Sequence, residues 1–223
     1  MTLRYVPIAG TNEKTSSWAS AGSDFEDHMK GAGFDRYADD HQFWSRALAG
    51  TFFTKSGHQV WTHGGFDVME YLERWTEAEL HRTVVIAHSY GGAVLAYALA
   101  SSPRLRHHLG AIITVGTPIR RDLDAIWMSA RDGSGVFHVC IYGTGLGARI
   151  RFFGQRGRLV REMSWADLKY GVKGGHSGML RNPQYTPQIN TALDAVKATW
   201  ERLKTSPPPP SAGRATQMGP KPR

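Results

Sequence analysis

The stretch Val84-Val85-Ile86-Ala87-His88-Ser89-Tyr90-Gly91-Gly92 constrains this chain more than any other. A β-branched run favours an extended strand, and here it stops at a serine followed by two glycines and a helix-forming run over 93–100. A turn from strand to helix within about two residues forces the corner residue into a strained backbone conformation and lifts its side chain above the sheet edge. Neighbours larger than a methyl group would collide with the turn or with the adjacent strand, a collision that Gly91 and Gly92 avoid. Ala87 stands two residues before the serine, where glycine is commoner, and departs by a single methyl. The same letters would also suit an ordinary glycine-packed turn. The immediate strand before and helix after are what favour a catalytic Ser89 at a nucleophile elbow.

The rest of the chain supplies matching elements. Residues 3–9 predict a first strand, with a turn at Gly10-Thr11-Asn12. Ser23-Asp24-Phe25-Glu26 has capping-box spacing and opens a helix closed by Gly31 and Gly33. Residues 40–48 read as a second helix and 59–63 as a short strand. Val68, Tyr71, Leu72 and Trp75 share one helix face. Strands follow at 83–87, 111–115 and 136–142, with a weaker one at 168–173. Leu123, Ile126, Trp127 and Ala130 mark a helix behind the 111–115 strand. Thr186-Pro187 caps a last helix whose apolar face is Ile189, Leu193, Val196, Trp200 and Leu203. Strands alternating with helices predict an α/β fold, a mostly parallel sheet of about six strands with helices on both faces.

At 223 residues with 41% hydrophobic content, one α/β domain over 1–205 is expected. Residues 206–223 hold Pro207 to Pro210 and three of the eight net positive charges, leaving +5 for the body; they read as a disordered or polyproline-like tail. The single cysteine, Cys140, lies in an apolar run and reads as core. No run of about 18 apolar residues exists, so no transmembrane segment is expected. The N-terminal residues lack a basic region followed by an apolar core, which implies a cytoplasmic location, although release by another route leaves no mark in a sequence. No metal-ligand spacing and no dinucleotide-binding glycine fingerprint occur, so no cofactor and no metal are expected. Nucleic-acid binding has no support beyond charge.

Taken in order, Ile8-Ala9-Gly10-Thr11, Ala87-His88-Ser89-Tyr90-Gly91-Gly92, Thr114-Val115-Gly116-Thr117-Pro118 and Gly174-Gly175-His176-Ser177-Gly178 resemble the α/β-hydrolase superfamily, in particular its small lipase-like and esterase-like members with little or no lid. The resemblance spans about residues 3–203. It implies a general-base histidine after the last strand. Of ten histidines, five lie upstream of the elbow, His88 points away from Ser89 on an extended backbone, His107 and His108 fall in a polar connection, and His138 sits within a strand; His176 remains.

The third member of a triad departs from the superfamily pattern. The resemblance places an acid after the 136–142 strand, yet no Asp or Glu occurs between Asp132 and Glu162. Asp167 would lie about six extended residues away at ~3.3 Å each, at the opposite sheet edge. Asp122 and Asp124 follow the 111–115 strand on the same edge as Ser89, a location some lipases use, and Asp122 is the first choice. Either could instead complement a helix dipole, and a Ser-His dyad oriented by a backbone carbonyl is the remaining arrangement.

The resemblance also assigns an oxyanion hole to the backbone amides of Thr11 and Tyr90. Trp18 and Tyr90 are candidates for walling a substrate pocket, or ordinary packing. Arg149, Arg151, Arg156, Arg158 and Arg161 crowd a stretch read as a β-hairpin; a solvated basic surface is the default, and Arg149 and Arg151 are candidates for binding an anionic substrate group. Two functions fit. One is a serine hydrolase acting on a small-molecule, lipid or cell-envelope ester. The other is a binding protein on the same fold that has lost catalysis.

Overall fold

The structure, a computed structural model, describes residues 2–10, 18–37, 43–44, 55–117, 121–144, 163–173, 180 and 187–205, with the backbone alone at 43–44, 55–61, 121–122 and 203–205. Among them, strands β1 (Leu3–Ala9), β2 (Phe34–Arg36), β3 (Phe43–Trp44), β4 (Thr83–His88), β5 (Ala111–Val115), β6 (Phe137–Gly143) and β7 (Leu168–Val172) form one sheet in the order β2-β1-β4-β5-β6-β7. Every pairing is parallel, and β3 pairs with the end of β1 beyond β2. The expected parallel α/β architecture is present.

Burial explains the composition of the strands. All residues of β4 and β5 are buried, because helices cover both faces, and such strands read as continuous apolar runs. At the edge, β7 has only partial burial, with Lys169 exposed. Val6, Ile8, Val85, Ala87 and Ile112 face helices α2 (Lys55–Glu73), α4 (Gly91–Ser101) and α6 (Arg121–Arg131). Leu3, Tyr5, Val84, Ile86 and Ile113 face α1 (Asp24–Gly31) and α7 (Pro187–Thr205). Cys140 is buried, as expected.

Helix starts follow their capping residues. The Glu26 amide donates to Ser23 Oγ at 3.2 Å, while the Glu26 carboxylate accepts from the Gly22 amide at 2.7 Å, one residue earlier than in a standard capping box. Thr76 and Glu79 form the full box for α3 (Glu77–His81). Helix α5 (Pro103–His108) takes Ser102 as its cap and Pro103 in its first turn. His107 and His108 therefore belong to a short helix and not to a polar connection.

Two further expectations are corrected. Residues 59–63 lie inside α2 and do not form a strand. A Cβ on Gly65, just beyond that stretch, would stand 2.6 Å from Tyr97 Cβ and 3.1 Å from the Val94 carbonyl, so Gly65 marks the close approach of α2 to α4. Within 40–48, Phe43 and Trp44 are strand residues, paired with Ile8 and Ala9, where the outer edge of β1 runs on past β2 with backbone groups that need partners; the remainder of that stretch lies outside the described residues. So does the expected hairpin at 148–163, apart from Met163, which is buried and outside any strand, and so do Thr186 and the tail 206–223.

Gly65→Val should force α2 away from α4 and destabilise the fold by about 3 kcal/mol, read by urea unfolding. Gly31→Ala, where nothing lies within 4 Å, should stay within about 0.5 kcal/mol of wild type. Equal effects of the two changes would refute the close-approach explanation.

Candidate active site

Connections leave neighbouring strands in opposite directions at one place in this sheet. From β1 the chain goes to β2 on one side, and from β4 it goes to β5 on the other. The crevice between the C-terminal ends of β1 and β4 is therefore where an open α/β sheet binds ligands. Ser89 stands there, on the residue after β4.

Its backbone carries the strain the sequence implies. Ser89 has φ +53°, the only positive value on a non-glycine residue among those described. A serine in this region costs on the order of 1–2 kcal/mol, a sizeable part of a total stability of about 5–15 kcal/mol. The strain is held from both sides. The Ser89 amide donates to the Val115 carbonyl at 2.9 Å, and the Ser89 carbonyl accepts from the Gly92 amide at 3.1 Å. A Cβ on Gly91 would lie 2.5 Å from the Ile8 carbonyl oxygen and 2.8 Å from that of Ala9. One on Gly92 would overlap the Thr117 hydroxyl and lie 2.8 Å from Thr117 Cβ. The two glycines are thus required by two different strand ends.

Tyr90 occupies the N-cap of α4 and turns its ring into the α2/α4/α6 layer. Trp18 is 5% exposed, and its ring meets Phe25 and His88 edge-on at 5.3 and 6.1 Å. Its contacts are core contacts, made directly behind the elbow. His88 is buried beside Trp18, on the face opposite α4, in keeping with its exclusion as the base.

Asp122 lies in the first turn of α6, its side chain outside the described residues. Asp124 is half-buried, and its Oδ1 is enclosed without a hydrogen-bond partner. Thr11, Arg149, Arg151 and His176 lie outside the described residues, as do Arg156, Arg158 and Arg161. No group of three or more His, Cys, Asp or Glu among the described residues could hold a metal ion, and no described helix is long and apolar enough to cross a membrane. Sequence alone assigned no role to Thr117; the signal for it was the doubled glycine, which announces a second close neighbour of the α4 turn.

His138 and Asp167 sit well below this edge. Register aligns His138 with Ile112 and Val85, four residues down β4 from Ser89, or ~13 Å. Asp167 accepts from the His138 amide at 2.7 Å and faces Arg131 at 3.4 Å, which occupies the carboxylate far from Ser89. The His138 ring is stacked on Trp127 at 5.2 Å and bonded to Thr114 Oγ1 at 2.9 Å. Burial, with a smaller contribution from Arg131, pushes its pKa down to about 3.

Comparison with known proteins finds no matching family model, no matching curated protein and no matching solved structure. The chemistry rests on the geometry above.

A neutral buried histidine makes stability depend on pH. The unfolded chain binds a proton at His138 near pH ~6.5 and the folded chain only near pH 3. Its contribution is complete above ~6.5 and is lost as pH falls through that window, by up to ~1.4 kcal/mol per pH unit. His138→Phe should remove that slope, so urea-unfolding stabilities of variant and wild type should converge from pH 7 to 4. Parallel curves would contradict the assignment.

Proposed function

We propose that this chain is a serine hydrolase of the esterase or lipase-like kind, similar to the α/β-hydrolase superfamily, that cleaves a carboxylic ester through an acyl-enzyme on Ser89. The observation that carries the reading is the left-handed backbone of Ser89 at a strand-to-helix turn on the sheet's switch point. The alternative, a binding protein on the same fold that has lost catalysis, draws only on the lack of an acid between Asp132 and Glu162.

In this reading His176 takes the proton from Ser89 Oγ as the oxygen attacks the carbonyl carbon, and returns it to the departing alcohol. Water then repeats the sequence and releases the acid. The amides of Tyr90 and Thr11 stabilise the negative charge that develops on the carbonyl oxygen. Asp122 orients His176. Arg149 and Arg151 favour a substrate with an anionic group, and Trp18 supports the elbow from behind. No cofactor enters the reaction.

Ser89→Ala should stay folded and lose all labelling by a fluorophosphonate probe, read by intact mass. Persistent labelling of that variant would remove Ser89 from the mechanism.

A histidine base must be neutral to accept the proton. Turnover of short p-nitrophenyl esters should therefore decline as pH drops through ~6.5, with His176→Ala lowering it by a factor on the order of 10⁴ or more. A flat profile from pH 5 to 8 is the outcome this mechanism forbids.

A further inference from the structure

On the side of Ser89 away from β1, the ends of β4 and β5 and the first turn of α4 converge on one side chain. The Val115 carbonyl holds the Ser89 amide, and two residues later Thr117 rests against Gly92. Strands lie about 4.8 Å apart, so Thr117 stands beside the elbow at its own height. Thr117 is 3% exposed, and its Oγ1 has no hydrogen-bond partner. A hydroxyl buried in this way loses its hydration with nothing in return. Valine has the same shape and would avoid that loss, so packing does not account for the hydroxyl. It is aimed at the amide end of α4, the positive end of the helix dipole.

We propose that the Thr117 hydroxyl is a substrate contact, binding the oxygen that leaves and enters on the β5 side of Ser89. It would hold the alcohol oxygen of the leaving group during acylation and the attacking water during deacylation. The inference rests on the acyl-enzyme reading above. In that reading the second oxyanion donor, Thr11, follows β1 in the chain, so the leaving group is assigned to the opposite, β5, side. A hydroxyl both donates and accepts, so one group serves both halves of the reaction.

In acylation, Ser89 Oγ bonds to the carbonyl carbon and its proton passes to the base. The bond from that carbon to the alcohol oxygen breaks, and the oxygen takes the proton while accepting a hydrogen bond from Thr117. In deacylation, water bonds to the same carbon, gives one proton to the base and directs its other hydrogen at Thr117 Oγ1. The bond to Ser89 Oγ then breaks, and the base returns the proton there. Thr117 gains and loses no proton.

The test compares an alkyl butyrate with p-nitrophenyl butyrate, whose leaving group departs without needing a proton. Thr117→Val should lower kcat/KM for the alkyl ester about tenfold, the loss of one hydrogen bond. For p-nitrophenyl butyrate the initial burst should persist and the steady-state rate after it should fall by a similar factor. The melting temperature should hold or rise, because an unpartnered buried hydroxyl has been removed. Thr117→Ser, which keeps the hydroxyl, should retain the wild-type ratio between the two esters, and its comparison with Thr117→Ala carries the test if the valine variant fails to fold. Equal losses on acylation with both esters would make Thr117 a structural residue, and an unchanged ratio in a protein that hydrolyses both would overturn the contact while leaving the acyl-enzyme intact. A wild-type protein that cleaves neither ester and takes no fluorophosphonate label would overturn both.

Discussion

The first turn of α4 fits between the ends of β1 and β5 with no room for a side chain on either flank, and the site depends on that fit. Gly91 lies against the Ile8 and Ala9 carbonyls, Gly92 against Thr117. With the helix start clamped in this way, the chain leaving β4 has about one residue in which to change direction, and Ser89 absorbs the change at φ +53°. The strain of about 1–2 kcal/mol at such a residue is tolerable because the clamp is built from the most deeply buried strands of the sheet. Geometry at Ser89 is thus a consequence of core packing two layers deep, and variation in the surface loops would leave it in place.

Much of this was legible in the sequence because it depends on short-range patterns. The extents of β1 and β5, the elbow at Ser89 and most of the apolar faces of α2 and α7 follow from β-branched runs and 3.6-residue periodicity, although Trp75 lies beyond the end of α2. The misread parts have long-range causes. Residues 59–63 read as a strand because nothing local shows that Gly65 lets this stretch, as part of α2, pack closely on α4. Phe43 and Trp44 became a strand because β1 offers an open edge there, which only the sheet order reveals. The strand-to-helix corner at Ser89 was readable from its motif, whereas Thr117 was quoted only as part of a strand-end pattern. Its position against Gly92 depends on the pairing of β4 with β5, and no spacing rule within one segment encodes that.

The two faces of the sheet handle polar groups differently. Towards α1, the chain that enters the helix is fastened at each step: Ser23 Oγ donates to the Trp18 carbonyl at 3.1 Å, Arg36 to the Ala19 carbonyl at 2.6 Å, and the Gly22 amide to Glu26. Guanidinium groups do similar work at the base of the other face, where Arg104 donates to the Glu73 and Trp75 carbonyls and Arg106 to those of Leu99 and Ala100. These arginines satisfy carbonyls at the ends of α2 and α4, where a helix leaves acceptors without partners and where positive charge is favoured. Much of the chain's basic character in this region is therefore spent on its own backbone and says little about external partners.

Against that background, the exceptions cluster. Among the described residues six buried side-chain atoms lack hydrogen-bond partners: Tyr5 Oη in β1, and Thr117 Oγ1, Asp124 Oδ1, Trp127 Nε1, His138 Nδ1 and Trp165 Nε1 in the chain between the end of β5 and the start of β7. Five of the six belong to that one stretch, which sets it apart from the rest of the described fold. Some of it has a structural explanation: Trp127 and His138 are stacked on one another and gain ring contact in place of a hydrogen bond. Thr117 has no such compensation, and its side chain rests against Gly92 at the turn that carries the strained serine. Proteins that satisfy local rules almost everywhere tend to break them at functional sites. The unpartnered hydroxyl of Thr117 and the left-handed backbone of Ser89 are departures of that kind, and they lie at one edge of the sheet.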